Sequence, residues 1–326
     1  MAERVTIKSI AKDLGISHMT VSRALSNHPN VLKETREMVQ KRAREMGYVK
    51  SAAAKAMRGD GTRIVGLLLP NIVNEFYARF ANTLALACEA ESLQLIIHLT
   101  GDDIHAEAKA IERLQEIQAQ GVVMVPAPGD RPYSFARLKE MRVIQLIRQA
   151  DLGEPVDAIL VDDSAAITAA VRHLANLGHK QIAYIGADKE LSSGRSRLTA
   201  FKVGLVEAGL DASAELVRTA PPSAEMGQRQ MEALLEVGKA SAVVCGGVEI
   251  SNGALQAILS GGHKVDNPVA FVGYGDALLY AWIGKGVTTI DLPVEALASE
   301  AAALLSEKRD IHSSRTVAFP ATLVCR

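Results

Sequence analysis

With 326 residues the chain has room for a small domain beside a core of about 260, enough for one or two well-buried lobes. Its 48% hydrophobic content and formal net charge of −1 describe a soluble globular protein and exclude a disordered or fibrous one. No apolar run approaches the ~18 residues of a membrane span and MAERVTIKS has no signal-peptide core, so a cytoplasmic protein with no membrane partner is expected.

The charge is unevenly spread. Residues 1–63 hold 13 Lys and Arg against six Asp and Glu, whereas the remainder holds 23 against 31. A basic head on an acidic body is the electrostatic footprint of a nucleic-acid reader whose body does not itself bind phosphate. Cys88, Cys245 and Cys325 are widely separated and form no Cys-x-x-Cys pair, so free thiols in a reducing compartment are expected.

From the N-terminus, Thr6 to Leu25 reads as two short helices meeting at a tight turn. Thr6 caps a first helix whose apolar face is Ile7, Ile10, Ala11 and Leu14. Gly15 ends it, where a left-handed turn is cheapest without a Cβ, and Ile16 fills the corner. Ser17 caps a second helix that turns Val21, Ala24 and Leu25 inward. His18, Met19 and Arg23 are then left outward, as donors, an apolar contact and a cation suited to reading bases in a major groove. Thr6, Ser17, Thr20, Ser22 and Ser26 are placed to position such a head on phosphates. Lys33 to Met46 predicts a third helix, with Val39, Ala43 and Met46 turned back onto the first two.

This block carries Thr20-Val21-Ser22-Arg23, Glu34-Thr35-Arg36 and Gly47-Tyr48, and it resembles the head of the LacI/GalR family of bacterial transcription regulators. The resemblance continues through the whole chain. One departure is Leu32, where that family usually has a Ser cap before the third helix, so its start is expected to be weaker. The resemblance also makes SAAAKAMR, Ser51 to Arg58, a hinge helix. Eight residues do not offset the cost of helix nucleation alone, so this hinge is expected to fold only when docked. Met57 matches the family's minor-groove leucine wedge, Lys55 matches its arginine, and Ala53 is small enough for two hinges to approach. A flexible linker is the alternative for this stretch.

From Ile64 onward short apolar runs alternate with helical segments. IVGLLLP, LQLIIHL, GVVMVPA, VIQLI and AILVD form one series; QIAYIGA, ELVRTA, AVVCGG, VAFVGYG and VTTIDL form another. Such alternation predicts parallel sheets covered on both faces, hence an α/β body of two lobes with a cleft between them. The resemblance implies the bilobal periplasmic-binding-protein type I fold. The expected division is a helix-turn-helix head over 1–50, a hinge and linker over 51–61, and a core over 62–326. Within the core, the N-lobe takes 62–162 and 292–306, and the C-lobe takes 163–291 and 307–326.

Ligands in such bodies sit at the carboxyl ends of strands. Three stretches qualify: the loop with Asn71, Asn74, Phe76 and Tyr77; the helix opening with Ser193, Arg195 and Arg197; and the turns holding Gly247, Glu249 and Asp276. Arg197 matches a family arginine that reaches into the effector site, its alternative being a salt bridge between lobes. Val248 and Gly275 stand where many relatives of this type have acids that hold sugar hydroxyls, which leans the expectation towards an anionic effector such as a sugar acid. No Walker loop, zinc-ligand pair, nucleophile elbow or complete dinucleotide fingerprint appears, so no catalytic residue, metal or cofactor is expected. Asp162-Asp163 reads as a cap and a cleft-lining acid. The partners implied are pseudo-palindromic operator DNA, a small-molecule effector (sugar, sugar acid or related metabolite) and a second copy of the chain, with a tetramer left open. A cytosolic receptor without a DNA role is the alternative.

Overall fold

The computed structural model describes residues 5–48, 62–132, 138, 141–211, 213, 216–260, 269–307 and 314–326, and the chain divides into two units, Met1–Thr62 and Arg63–Arg326. The hinge residues Ala53, Lys55 and Met57 lie outside the described residues.

Among the described residues the first unit holds three helices. α1 (Ile7–Leu14) starts in a reciprocal box, in which the Thr6 hydroxyl accepts the Ser9 amide at 3.2 Å and the Ser9 hydroxyl accepts the Thr6 amide at 2.7 Å. It ends at Gly15 with φ +65°, the left-handed conformation that a residue without a Cβ adopts at least cost. α2 (His18–Leu25) is capped by Ser17, whose hydroxyl accepts the Thr20 amide at 3.0 Å. α3 (Lys33–Glu45) begins after Leu32 with no side-chain cap, as the departure at that position predicts. Ile10, Val21, Ala24 and Val39 are fully buried between the three helices. Arg42 clamps Asp13 with two hydrogen bonds of 2.5 and 2.8 Å, joining α3 to α1.

In the second unit, strands and helices alternate: β1 (Ile64–Leu69), α4 (Glu75–Ala90), β2 (Gln94–Leu99), α5 (Ile104–Glu116), β3 (Gly121–Met124), β4 (Arg142–Leu146) and β5 (Asp157–Asp162). After α6 (Ser164–Asn176) a second series runs through β6 (Ile182–Ala187), α7 (Ser192–Glu207), β7 (Val217–Ala220), α8 (Ala224–Val237), β8 (Ala242–Gly246), α9 (Val248–Ser260), β9 (Ala270–Tyr274) and β10 (Thr288–Asp291). α10 (Val294–Ser306), β11 (Thr316–Pro320) and β12 (Thr322–Val324) follow.

Among the described residues two six-stranded sheets result, ordered β11-β5-β4-β3-β1-β2 and β12-β10-β9-β8-β6-β7. The first is parallel throughout, and only β12 runs antiparallel in the second. Helices cover both faces of each sheet. Leu114 and Ile111 of α5 bury one face of the first sheet with Leu68 and Val122, while α4 and α10 cover the other. On the second sheet, α8 and α9 pack so closely that a Cβ on Gly253 would stand 1.8 Å from the Ala224 carbonyl oxygen. In each sheet the strand order reverses beside the first strand, between β1 and β3 and between β6 and β8. Such switch points open a crevice at the carboxyl ends.

The tail differs from expectation. The sequence pattern places residues 307–326 in the C-lobe, yet β11 pairs in parallel with β5 of the first sheet, Thr316 opposite Ala158 through Pro320 opposite Asp162. Only β12 joins the second sheet, with Val324 opposite Thr289. Val317 and Phe319 are apolar enough for either edge, so composition did not distinguish the two sheets. Pro320 lacks an amide donor, and its place at the end of an edge strand satisfies that constraint.

Candidate functional site

On the head, His18, Met19 and Arg23 are exposed, Met19 and Arg23 on the side of α2 away from buried Val21, Ala24 and Leu25 and His18 at its first position. Four of the hydroxyls expected to meet phosphate, those of Thr6, Ser17, Thr20 and Ser26, are engaged locally. Thr6 and Ser17 cap their helices, Ser17 and Thr20 hydroxyls lie 2.9 Å apart, and Ser26 donates to the Ser22 carbonyl at 2.9 Å. These bonds fix the entry angles of α1 and α2, so the outward face of α2 is preset by its own sequence.

In the second unit, the carboxyl ends of β1, β6 and β8 converge on a cavity of about 260 Å³. From the first lobe come Asn71, Asn74, Phe76 and Tyr77, and from the second Ser193, Arg197, Gly247 and Glu249. All eight were predicted. Asn71 accepts the Asn74 amide at 2.9 Å and Asn74 caps α4 through the Phe76 amide at 3.1 Å. With both side-chain oxygens so occupied, each Nδ2 is turned outward, and both donate to Oε2 of Glu249 at 3.2 Å, bridging the lobes. Phe76 and Tyr77 stand edge to face at 5.6 Å.

Arg197 lines the cleft and is held in an ion pair, but with Asp163 of its own lobe rather than across the lobes. Its Nε donates to Asp163 at 2.6 Å, its Nη1 donates to the Gly246 carbonyl at 3.1 Å, and its guanidinium carbon lies 4.3 Å over the Tyr274 ring. The Tyr274 hydroxyl donates to the same Asp163 oxygen. Burial alone disfavours the guanidinium charge, but the adjoining Tyr274 oxygen and Asp163 carboxylate outweigh it and hold Arg197 protonated. Burial likewise pushes the Tyr274 hydroxyl well above its usual range. Asp162 accepts the Ser164 amide at 3.4 Å, a weak cap, while Asp163 belongs to the ion pair.

Two predicted effector residues lie elsewhere. Arg195 donates to the Lys189 and Glu190 carbonyls at 2.7 and 3.3 Å and stays outside the main cavity. Successive helical residues turn by about 100°, so Ser193 and Arg197 share the cleft face of α7 and Arg195 does not. Asp276 is gripped by Arg326 through two 2.8 Å hydrogen bonds. Val248 lines the cavity and packs against Gly275, screening Asp276 from it.

A further polar pair, not evident from the sequence, lines the cavity. Arg148, 5% exposed, donates to both oxygens of Asp102 at 2.8 and 3.2 Å and to the Pro126 carbonyl at 3.2 Å. Burial pushes the Tyr77 hydroxyl up, and the neighbouring Arg148 charge opposes that rise. Ile147 precedes Arg148 with φ +64°, inside a three-residue turn closed by the Arg148 amide on the Leu146 carbonyl at 2.6 Å. A β-branched residue there is strained, and the strain sits on the cavity wall, which Ile147 lines. The available signal was position: Ile147 and Arg148 follow β4 at its carboxyl end, where the rule used for the other loops applies.

Cys245 is fully buried, and burial pushes its thiol up to about 12, so it stays protonated and unreactive. Among the described residues no cluster of three metal-ligating side chains occurs, and no helix is long and apolar enough to cross a membrane.

The sequence profile for bacterial regulatory proteins of the lacI family matches residues 6–51, and that for periplasmic binding proteins and the sugar binding domain of the LacI family matches residues 62–325. Among similar proteins, the transcriptional regulator GalR of Escherichia coli (strain K12) is 27% identical over 328 residues, covering 98% of this chain and 94% of that protein. The regulator DegA of Bacillus subtilis (strain 168) is 27% identical over 302 residues, covering 91% and 89%. The fold is that of the lac repressor dimer crystallised with operator and an anti-inducer, with a TM-score of 0.81 at 20% identity over 99% of this chain and 98% of that one. These relatives are regulators rather than enzymes. A matching head and a matching two-lobed body place the chain in the LacI family, as a DNA-binding transcriptional regulator with that family's sugar-binding type of effector domain.

Proposed function

We propose that the protein is a homodimeric repressor of the cytoplasm that grips a pseudo-palindromic operator and is released or recruited by a small molecule held between its lobes. The observation that carries this reading is the outward face of α2, where His18, Met19 and Arg23 stand exposed over a core that fixes the helix. Arg23 donates to a guanine, Met19 meets a thymine methyl, and His18 reads a neighbouring base edge. Thr6, Ser17, Thr20, Ser22 and Ser26 set the head against the sugar-phosphate backbone. Residues 1–50 form the head and 51–61 the hinge, in which Met57 wedges a flexible step while Ala53 and Lys55 line the approach.

In the core, residues 62–326, the effector meets Asn71, Asn74, Phe76, Tyr77, Ser193, Arg197, Gly247 and Glu249. Its binding favours one lobe arrangement over the other, and that difference in affinity is all the free energy available to move the hinges. Apolar side chains exposed on the second unit, Leu99 at 55% and Trp282 at 73%, supply the surface that a second copy covers.

Arg23→Ala is expected to weaken operator binding by about 1–3 kcal/mol and to relax one base position. Gel retardation against the gene's upstream region and its single-base variants measures both. Unchanged discrimination removes Arg23 from the base readers, and no retardation of any upstream fragment removes the operator role.

A further inference from the structure

We propose that the ligand of the cleft carries a protonated amine, received by Glu249; this rests on the cleft being the effector site. Four charged side chains line the cavity: Asp102, Arg148, Arg197 and Glu249. Arg148 is held by both oxygens of Asp102, and Arg197 by Asp163, with all four of these side chains at least three-quarters buried. Each arginine is thus matched by its own carboxylate. Glu249 has no such match. Two neutral carboxamides meet it, both on Oε2, and Oε1 makes no hydrogen bond to the described residues.

The walls therefore carry one negative charge that no cation among the described residues answers. A carboxylate accepts about four hydrogen bonds and two are filled here. The open capacity belongs to a residue that lines the cavity. Glu249 sits in the first turn of α9, where the helix carries its partial positive charge. Phe76 and Tyr77 line the same cavity as Glu249 and stand edge to face, so aromatic surface is available to an ammonium group there.

An acidic ligand meets the opposite situation. It faces Glu249 at close quarters, and to reach an arginine it competes with Asp163 or Asp102, which are already in place. The expectation of a sugar acid counted the arginines without their partners. Neutral polyols satisfy the amides of the cleft but leave the Glu249 charge unanswered.

The test is a thermal-shift titration of the full-length protein with matched sets on shared skeletons: 2-amino-2-deoxyhexoses, the corresponding hexoses and the corresponding hexonates. An amine is expected to raise the melting temperature at concentrations at least tenfold below its neutral partner, with no shift from the acid, and Glu249→Gln is expected to abolish that preference. The proposal is overturned when an acid or a neutral compound outperforms its amine, when the preference survives Glu249→Gln, or when no amine shifts the melting temperature. Gly247→Phe, with Ser193→Phe as a second plug, separates this failure from that of the cleft itself. Neutral or acidic compounds whose shifts vanish in a plugged variant leave the effector site standing and remove only the amine; shifts indifferent to both plugs remove the site as well.

Discussion

Arg197 shows how one side chain serves stability and recognition together. Its guanidinium is buried against Asp163, the Gly246 carbonyl and the Tyr274 ring, yet it also lines the cavity. Replacing it with alanine strands the Asp163 carboxylate, which has no other ion-pair partner among the described residues, so Arg197→Ala is expected to lower unfolding stability by about 3–5 kcal/mol. Urea denaturation checks this, and a loss below about 1 kcal/mol, the scale of an exposed pair, shows that Asp163 finds other solvation. The residue was legible in the sequence, because an arginine at a helix opening beside a strand end is a visible pattern. Its partner was not, since Asp163 lies 34 positions away and Tyr274 a further 111 from Asp163. Asp276 failed for the same reason: its partner Arg326 is 50 residues on, and only the folded chain brings them together.

Helices and strands were easier to read than their partners. The apolar spacing of Thr6 to Leu25 and the left-handed turn at Gly15 are local properties, and the head follows them. The missing cap on α3 was also local. Leu32 is 77% exposed and offers no acceptor to the first turn, where Glu34 is the only acidic residue. Leu32→Ser is therefore expected to stabilise the head by about 1 kcal/mol, through a bond to an otherwise unsatisfied amide. Thermal denaturation followed by helical circular dichroism measures this, and an unchanged or lowered midpoint shows that the exposed leucine has contacts worth more than a cap. What local pattern did not settle was sheet membership. VAFP and TLV have similar composition, and only pairing with Asp157–Asp162 or Thr288–Asp291 decides which lobe each finishes.

Over the entire molecule the two halves of the charge distribution assign separate tasks. The first 63 residues have about twice as many basic as acidic side chains, while the remainder has more acidic than basic ones. Phosphate contacts release condensed counterions, so the logarithm of the binding constant falls linearly with that of salt, by about 0.9 per contact. A dimer whose heads make ~6–10 such contacts is expected to lose about a thousandfold to a hundred-thousandfold in operator affinity between about 50 and about 200 mM salt. An acidic body adds nothing to that slope and repels the duplex, so the core alone, residues 62–326, is expected to show no salt-dependent retention of DNA while still binding the effector. Fluorescence anisotropy with labelled operator, in parallel for the full chain and the core, measures both slopes. A near-zero slope for the full chain removes the head from phosphate, and a matching slope for the core moves the DNA surface onto the lobes. A steep slope confined to the full chain leaves the cleft to act on DNA only through the connection at residues 51–61, so that effector and operator alter each other's affinity by the same factor.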